Sequence, residues 1–332
     1  MPAVGTFLAG AVVSLATSWL LVSRLERVGE RLGLSEALLG IIAALAADAP
    51  EISAAISALT SHQESVGAGV VLGSNVFNLA ALLGLGAVVA GRIALHRKVV
   101  ALSGAVALWV ALVCISVVSG LVPIAVGLVL AVLVLGLYAV LLGTEGQGLQ
   151  RVPLPQRWWT WLRSAVTEEE IELEDAIRPR PGRWPDALVA TGALVVVVAA
   201  SVLMERAASE LGQRYGVSQI VVGGLVLAAV TSLPNAVAAV YLAARGRGAA
   251  TLSTALNSNA INVVVGLLLP AAVFGLGRPS AQAVLITAWY VGLTALVLAI
   301  AFRHRGLSRR AGSMIIAAYA AFTISVLLST GA

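Results

Sequence analysis

Residues 38–59 read LLGIIAALAADAPEISAAISAL, and inside this apolar run sit Asp48, Pro50 and Glu51. Nearly every neighbour is aliphatic or tiny, so the segment is soluble in lipid except at that one point. A proline within a helix has no N–H to give the carbonyl four residues back, and its ring pushes that carbonyl aside. Pro50 therefore frees the Ala46 carbonyl, and the Ala47 carbonyl beside it becomes available too. Exposed backbone at membrane depth is tolerated only where protein buries it or a wet cavity runs past it. The stretch predicts a membrane helix broken around a polar site.

The rest of the chain agrees with a membrane setting. Of 332 residues, 59% are hydrophobic and 11% charged, with a mean hydropathy of +0.97. That leaves too little polar surface to cover the chain in water. A span needs about 20 apolar residues. Ten segments qualify, near 3–22, 34–61, 66–90, 99–118, 121–142, 186–204, 217–244, 249–276, 281–302 and 311–330. The first is too long for a cleaved signal peptide and has no basic lead, so it is read as a retained helix. If loops alternate between faces, 18 of the 21 Lys and Arg fall on the face reached after the first span. Only Arg206, Arg214 and Arg278 lie opposite. By the positive-inside rule the basic face is cytoplasmic and both termini lie outside. The surplus of positive charge is thus explained without a nucleic-acid partner. Cys114 stands alone in an apolar run, which excludes disulfide or cysteine-metal chemistry.

A shift of 184 residues lays the second half on the first. Pro50 falls on Pro234, Glu51 on Asn235, Ser74 on Ser258, Asn75 on Asn259 and Asn78 on Asn262. Upstream, Gly33-Leu34-Ser35 and Gly40 resemble Gly216-Val217-Ser218 and Gly223, with one residue of spacing lost. Five spans precede the second unit, so it enters the membrane from the other side as an inverted repeat. The predicted fold is an all-α integral membrane protein of ten transmembrane helices, five plus five inverted, with helices 2 and 7 broken. Its parts are a first repeat over 1–142, a cytoplasmic linker over 143–185 and a second repeat over 186–332.

Among 16 acidic residues, Asp48 and Glu51 are the ones deep inside a predicted span. Such a group at the centre of a helix costs about 2.5–3.5 kcal/mol on insertion scales, and a bound cation relieves it. Asp48 could also act as N-cap of the restarting half-helix, with Glu51 closing a capping box. The candidate donors are the two carboxylates, the side chains of Thr231, Ser232, Asn235, Ser74, Ser258, Asn78 and Asn262, and the freed carbonyls, including those of Val230 and Thr231. For Asn75 and Asn259 an interhelical hydrogen-bonding role stands beside the ligand role. All are hard oxygen donors, which suits Ca²⁺ and related Na⁺ geometries, whereas zinc or copper would want His or Cys. His62, His96 and His304 fall in loops.

The paired segments over about 30–90 and 213–275 resemble the two alpha repeats of the calcium/cation antiporter superfamily, which includes the sodium/calcium exchangers. Family repeats carry a G-T-S-L-P-E-like string followed by G-S-N-x-x-N. Here they read DAPE with GSNVFN, then SLPN with NSNAIN. The resemblance implies ion-binding roles for Glu51, Ser74, Asn78, Thr231, Ser232, Ser258 and Asn262, with backbone donors at Ala47 and Thr231. It also implies antiport of Ca²⁺ against Na⁺ or H⁺, with no cofactor. Helices 2, 3, 7 and 8 would form a core past which helices 1 and 6 move. Two positions depart from the pattern. Asn235 stands where the family has a second glutamate, and Asp48 where it has Ser or Thr. The site's charge has moved onto one helix.

Other classes fit less well. An aspartyl intramembrane protease needs two aspartates on separate helices, and there is neither an HExxH string nor a Ser/His pair at membrane depth. A monovalent-cation antiporter or a cation channel remains open as an alternative, and oligomeric state is not encoded in any motif. In the linker, RWWTWLR (157–163) suggests an interfacial segment. The acidic run EEEIELED (168–175) lacks the spacing and glycine of an EF-hand.

Overall fold

The computed structural model describes residues 2–32, 42, 44–143, 155–176 and 182–329. The Gly33–Gly40 stretch, most of the first half of the predicted second span, and much of the linker lie outside the described residues. The described residues are helical, apart from a two-stranded antiparallel patch that pairs Arg92–Ala94 with Gly306–Ser308. Among the described residues, eight helices are long and apolar enough to cross a membrane, and a ninth candidate is a helix pair bent by 47°.

In chain order, α1 is Pro2–Arg31, α2 Ala49–Thr60, α3 Glu64–Ala90, α4 Arg97–Val118, α5 Ile124–Gly143 and α6 Gln156–Ala176. Then come α7 Trp184–Arg214, α8 Gln219–Thr231, α9 Leu233–Ala244, α10 over 248–274, α11 Ala281–His304 and α12 Arg309–Ser329. The helices form an inner and an outer layer. Over its most apolar window α3 is 94% buried and α10 78%, against 28% for α1 and 22% for α5. The inner helices carry the small and polar residues, and the outer ones turn aliphatic side chains outward, as a lipid solvent requires.

Glycine makes the inner layer possible. Gly69 and Gly73 of α3 meet Gly223 and Gly224 of α8 backbone to backbone. A Cβ added at Gly73 would overlap the carbonyl of Gly224. This crossing seats Ser74, Asn75 and Asn78 beside the break between α8 and α9. Gly73→Ala is expected to destabilise the protein by about 3 kcal/mol, the upper end for overpacking. A thermal midpoint equal to the parent's would show that the crossing is looser than described.

Backbone conformation repeats at the 184-residue offset. Asp48 (φ −81°, ψ −6°) and Ser232 (φ −82°, ψ −3°) take the same turn, and each opens a 12-residue helix with proline in its first turn. The following turns match as well: His62 has φ 57° and Gly246 φ 77°. A left-handed residue after a helix is ordinarily glycine, and His62 takes that conformation with a side chain. π-helical turns occupy Leu79–Leu85, just past Asn78, and Asn262–Leu268. Such turns re-aim side chains and recur at functional sites.

Outside this core, α1 and α7 pack along one another as a pair. Gly10 lets the backbones touch, since a Cβ there would lie 3.0 Å from the Ala200 oxygen. Ser14 and Ser201 hydrogen-bond across the pair at 3.1 Å. At one end Arg24 grips Asp186 at 2.6 Å. Cys114 is buried in the main apolar core.

Candidate cation-binding site

The turns at Asp48 and Ser232 come together in the inner layer, where Glu51 and Ser232 touch. Asp48 and Glu51, at the start of α2, are both fully buried. Asp48 makes no side-chain cap to its own helix. Its Oδ1 instead accepts from Asn235 Nδ2 of α9 and from Ser258 Oγ of α10, each at 2.6 Å. The capping-box alternative is therefore replaced by cross-helix bonding. One turn on, Glu51 Oε1 accepts a very short hydrogen bond from Ser232 Oγ, and Oε2 accepts from Asn262 Nδ2 at 2.5 Å. Each carboxylate of the first half is thus held by an amide and a hydroxyl of the second half.

A second tier braces these contacts. Asn75 and Asn259 exchange hydrogen bonds: Asn75 Nδ2 donates to the Asn259 carbonyl at 3.1 Å, and Asn259 Nδ2 to the Asn75 carbonyl at 3.0 Å. Asn78 Nδ2 donates to Ser258 Oγ at 3.2 Å and to Asn259 Oδ1 at 3.1 Å. Satisfying a peptide carbonyl from a side chain on the facing helix fixes the approach of α3 and α10. For Asn75 and Asn259 the geometry is that of interhelical bonding.

Two expected side chains point elsewhere. Thr231 Oγ1 donates to the Leu227 carbonyl of its own helix at 2.9 Å, as hydroxyls in apolar helices commonly do. Ser74 Oγ donates to the Ala228 carbonyl at 3.5 Å. The Val230 carbonyl, deprived of a partner by Pro234, is taken up by a backbone N–H at the turn.

Unpartnered atoms reveal what the network can hold. Asp48 Oδ2 and the amide oxygens of Asn78, Asn235 and Asn262 are buried with no hydrogen-bond partner. Every one is an acceptor, and all belong to residues already tied to this network. A buried acceptor without a donor costs roughly 1–3 kcal/mol, so four together favour a guest that is all positive charge. Among the described residues no cluster of three or more His, Cys, Asp or Glu exists. The charge here therefore rests on two carboxylates, and the remaining donors are neutral oxygens. Such a set fits a hard cation and not a borderline-soft metal.

Sequence inspection missed Glu205. The predicted sixth span stopped at 204, but α7 continues to Arg214, and Glu205 lies inside it, fully buried. Its oxygens accept from Ser57 of α2 at 2.8 Å and from Ser209 at 3.0 Å. The signal available in the sequence is the small residues Ala208 and Gly212, three and seven positions on and so on the same helix face as Glu205.

Comparison with known proteins matches both halves of the chain. The family described as "Sodium/calcium exchanger protein" matches residues 2–144 and again 186–328. A putative antiporter, CaxA of Alkalimonas amylolytica, is 33% identical over 82 residues, 24% of this chain and 26% of that protein. Sodium/potassium/calcium exchanger 2 of Gallus gallus is 27% identical over 167 residues, 48% of this chain and 26% of the exchanger. The chain thus spans about a quarter of the length of these relatives. Among solved structures, the H⁺/Ca²⁺ exchanger CAX superposes with a TM-score of 0.73 at 13% identity, covering 100% of this chain and 87% of that one. The sodium-calcium exchanger NCX_Mj gives 0.61 at 20% identity, covering 96% of both chains. At these identities the likeness concerns the fold.

Proposed function

The chain belongs to the sodium/calcium exchanger protein family, and from that premise we propose that it is a secondary active antiporter exchanging Ca²⁺ for Na⁺ or H⁺ by alternating access. It is a multi-pass membrane protein and a transporter, not an enzyme. One observation carries the reading: two buried carboxylates, Asp48 and Glu51, share a network with three buried amide oxygens that have no partner.

In this reading Asp48 and Glu51 supply the two negative charges that neutralise one Ca²⁺. Asn78, Asn235 and Asn262 add amide oxygens. Ser232 and Ser258 now donate to the carboxylates, and a hydroxyl that rotates can offer its lone pairs to a cation instead. The carbonyls of Ala47 and Thr231, at the breaks before Pro50 and Pro234, complete an oxygen cage. The side chains of Ser74 and Thr231 support its walls through their bonds to backbone. Na⁺ or H⁺ competes for the same carboxylates, so one ion must leave before the other binds, which is the thermodynamic requirement of exchange.

The arrangement proposed around the site is ten spans, five plus five inverted, with repeats over 1–142 and 186–332 and a linker over 143–185. The matched turns at Asp48 and Ser232, and at His62 and Gly246, support it. Both termini lie outside the cell membrane and the linker is cytoplasmic, as the skew of Lys and Arg suggests. The bonded pair α1 and α7 lies against both breaks: Ser14 and Met204 line a narrow cleft with Pro50 and Pro234. Sliding of this pair over the core would expose the site to one side and then the other.

Radiolabelled Ca²⁺ uptake into proteoliposomes tests the reading. Uptake should saturate and should require an outward gradient of Na⁺ or of H⁺. Uptake that proceeds with neither gradient would mean a channel.

A further inference from the structure

Glu205 takes no part in the site just described, yet it is as buried as Asp48 and Glu51. It sits on α7, the member of the moving pair that crosses α2, and Ser57 of α2 donates to its Oε2 at 2.8 Å. Ser57 lies six residues beyond Glu51, about 9 Å farther along the same helix. That direction leads to the turn at 61–63. Any sliding of α7 along α2 must break the Ser57 bond.

No Lys, Arg or His lies within ion-pair distance of Glu205 among the described residues. The elements packed against it offer little charge. Up to Ser23, α1 carries no titratable group, α8 carries none, and α2 carries only Glu51. On its own helix Arg206 and Glu210 are exposed, and Arg206, outside ion-pair distance, is the nearest cation whose charge reaches Glu205. An unpaired charge buried in this way is strongly unfavourable.

A metal ion is a poor guest there. Glu205, Ser57 and Ser209 together bring four side-chain oxygens, none of them among the unpartnered atoms. Both serines and the glutamate lie in unbroken stretches of helix, which free no carbonyls. Ca²⁺ takes six to eight oxygens. A proton needs only one.

We infer that Glu205 is a proton-binding residue of the transport cycle, neutral when α7 is seated on α2, its carboxyl O–H then donating to one of the two serine hydroxyls, and giving its proton to water when the two helices part. The proton is bound from water as the helices close and leaves to water as they open, so no other reactant is needed. This rests on the antiport reading and deepens it, because it makes seating of the moving helix proton-dependent at a place separate from the cation site.

Infrared difference spectroscopy on the full chain in lipid, titrated with pH at saturating Ca²⁺, reads proton binding directly. A protonated-carboxyl C=O band that titrates in the parent should be lost in Glu205→Gln and kept in Glu51→Gln. In proteoliposomes the pH profile of Ca²⁺ uptake should shift in Glu205→Gln relative to the parent, with Ca²⁺ affinity within about twofold of the parent. Parent and Glu205→Gln spectra that are identical overturn the assignment. If Ca²⁺ exchange itself proves absent, the Glu205 band still appears, so the two readings fail separately. Should Glu205→Gln not elute as a folded protein, Ser57→Ala serves: a shifted band supports the inference and an unshifted one contradicts it.

Discussion

Glu51→Gln is expected to weaken Ca²⁺ binding by about two to three orders of magnitude and to stop exchange. The amide keeps the size of the side chain but removes one of the two charges that, in the proposed site, face the cation. It also turns a group that accepts from both Ser232 and Asn262 into one that must present an N–H to one of them. Breaking a buried charge pairing by removing one partner costs about 3–5 kcal/mol, and each 1.4 kcal/mol is tenfold in affinity. Titration calorimetry on purified protein checks the affinity, and proteoliposome uptake checks the exchange. Flux equal to the parent's would remove Glu51 from the site.

Moving the second charge back across the interface gives the other large effect. Asp48→Ser should lose Ca²⁺ binding by about a hundredfold or more, for the same electrostatic reason. Asn235 donates to Asp48 from directly across the network at 2.6 Å, so a carboxylate at 235 would sit against the space that Asp48 vacates. The double variant Asp48→Ser/Asn235→Glu is therefore expected to regain at least tenfold of the loss. Asn235→Glu alone sets a third carboxylate beside Asp48, and their repulsion should demand an additional bound cation, read as a changed ratio of Ca²⁺ to counter-ion. If the double variant is no better than Asp48→Ser, position 235 does not face the same ion as position 48.

Much of this geometry was legible from residue spacing. A proline, an acid or amide, and an S-N-x-x-N string at one offset are too specific to arise from packing alone. The structure brings Asp48, Glu51, Asn78, Ser232, Asn235, Ser258 and Asn262 into one buried network with Asn75 and Asn259. The offset even carries over to backbone angles at Asp48 and Ser232. Directions of individual hydroxyls were not legible. Thr231 and Ser74 turn to backbone carbonyls because an unbonded hydroxyl in an apolar interior is costlier than a local bond. Glu205 was missed for a different reason. Hydropathy falls at Glu205-Arg206, which ends a predicted span, whereas Glu205 is buried by tertiary packing, with Ser57 of α2 bonded to it. The short strand pair Arg92–Ala94 with Gly306–Ser308 joins segments over 200 residues apart and has no local signal.

Anomalous diffraction from crystals grown with Ca²⁺ tests the central claim most directly. The account predicts one strong peak between the Asp48 and Glu51 carboxylates, with oxygens of Asn78, Asn235 and Asn262 among its ligands at about 2.3–2.6 Å. A fully ordered Ca²⁺ elsewhere in the protein, with no density between those carboxylates, would contradict it.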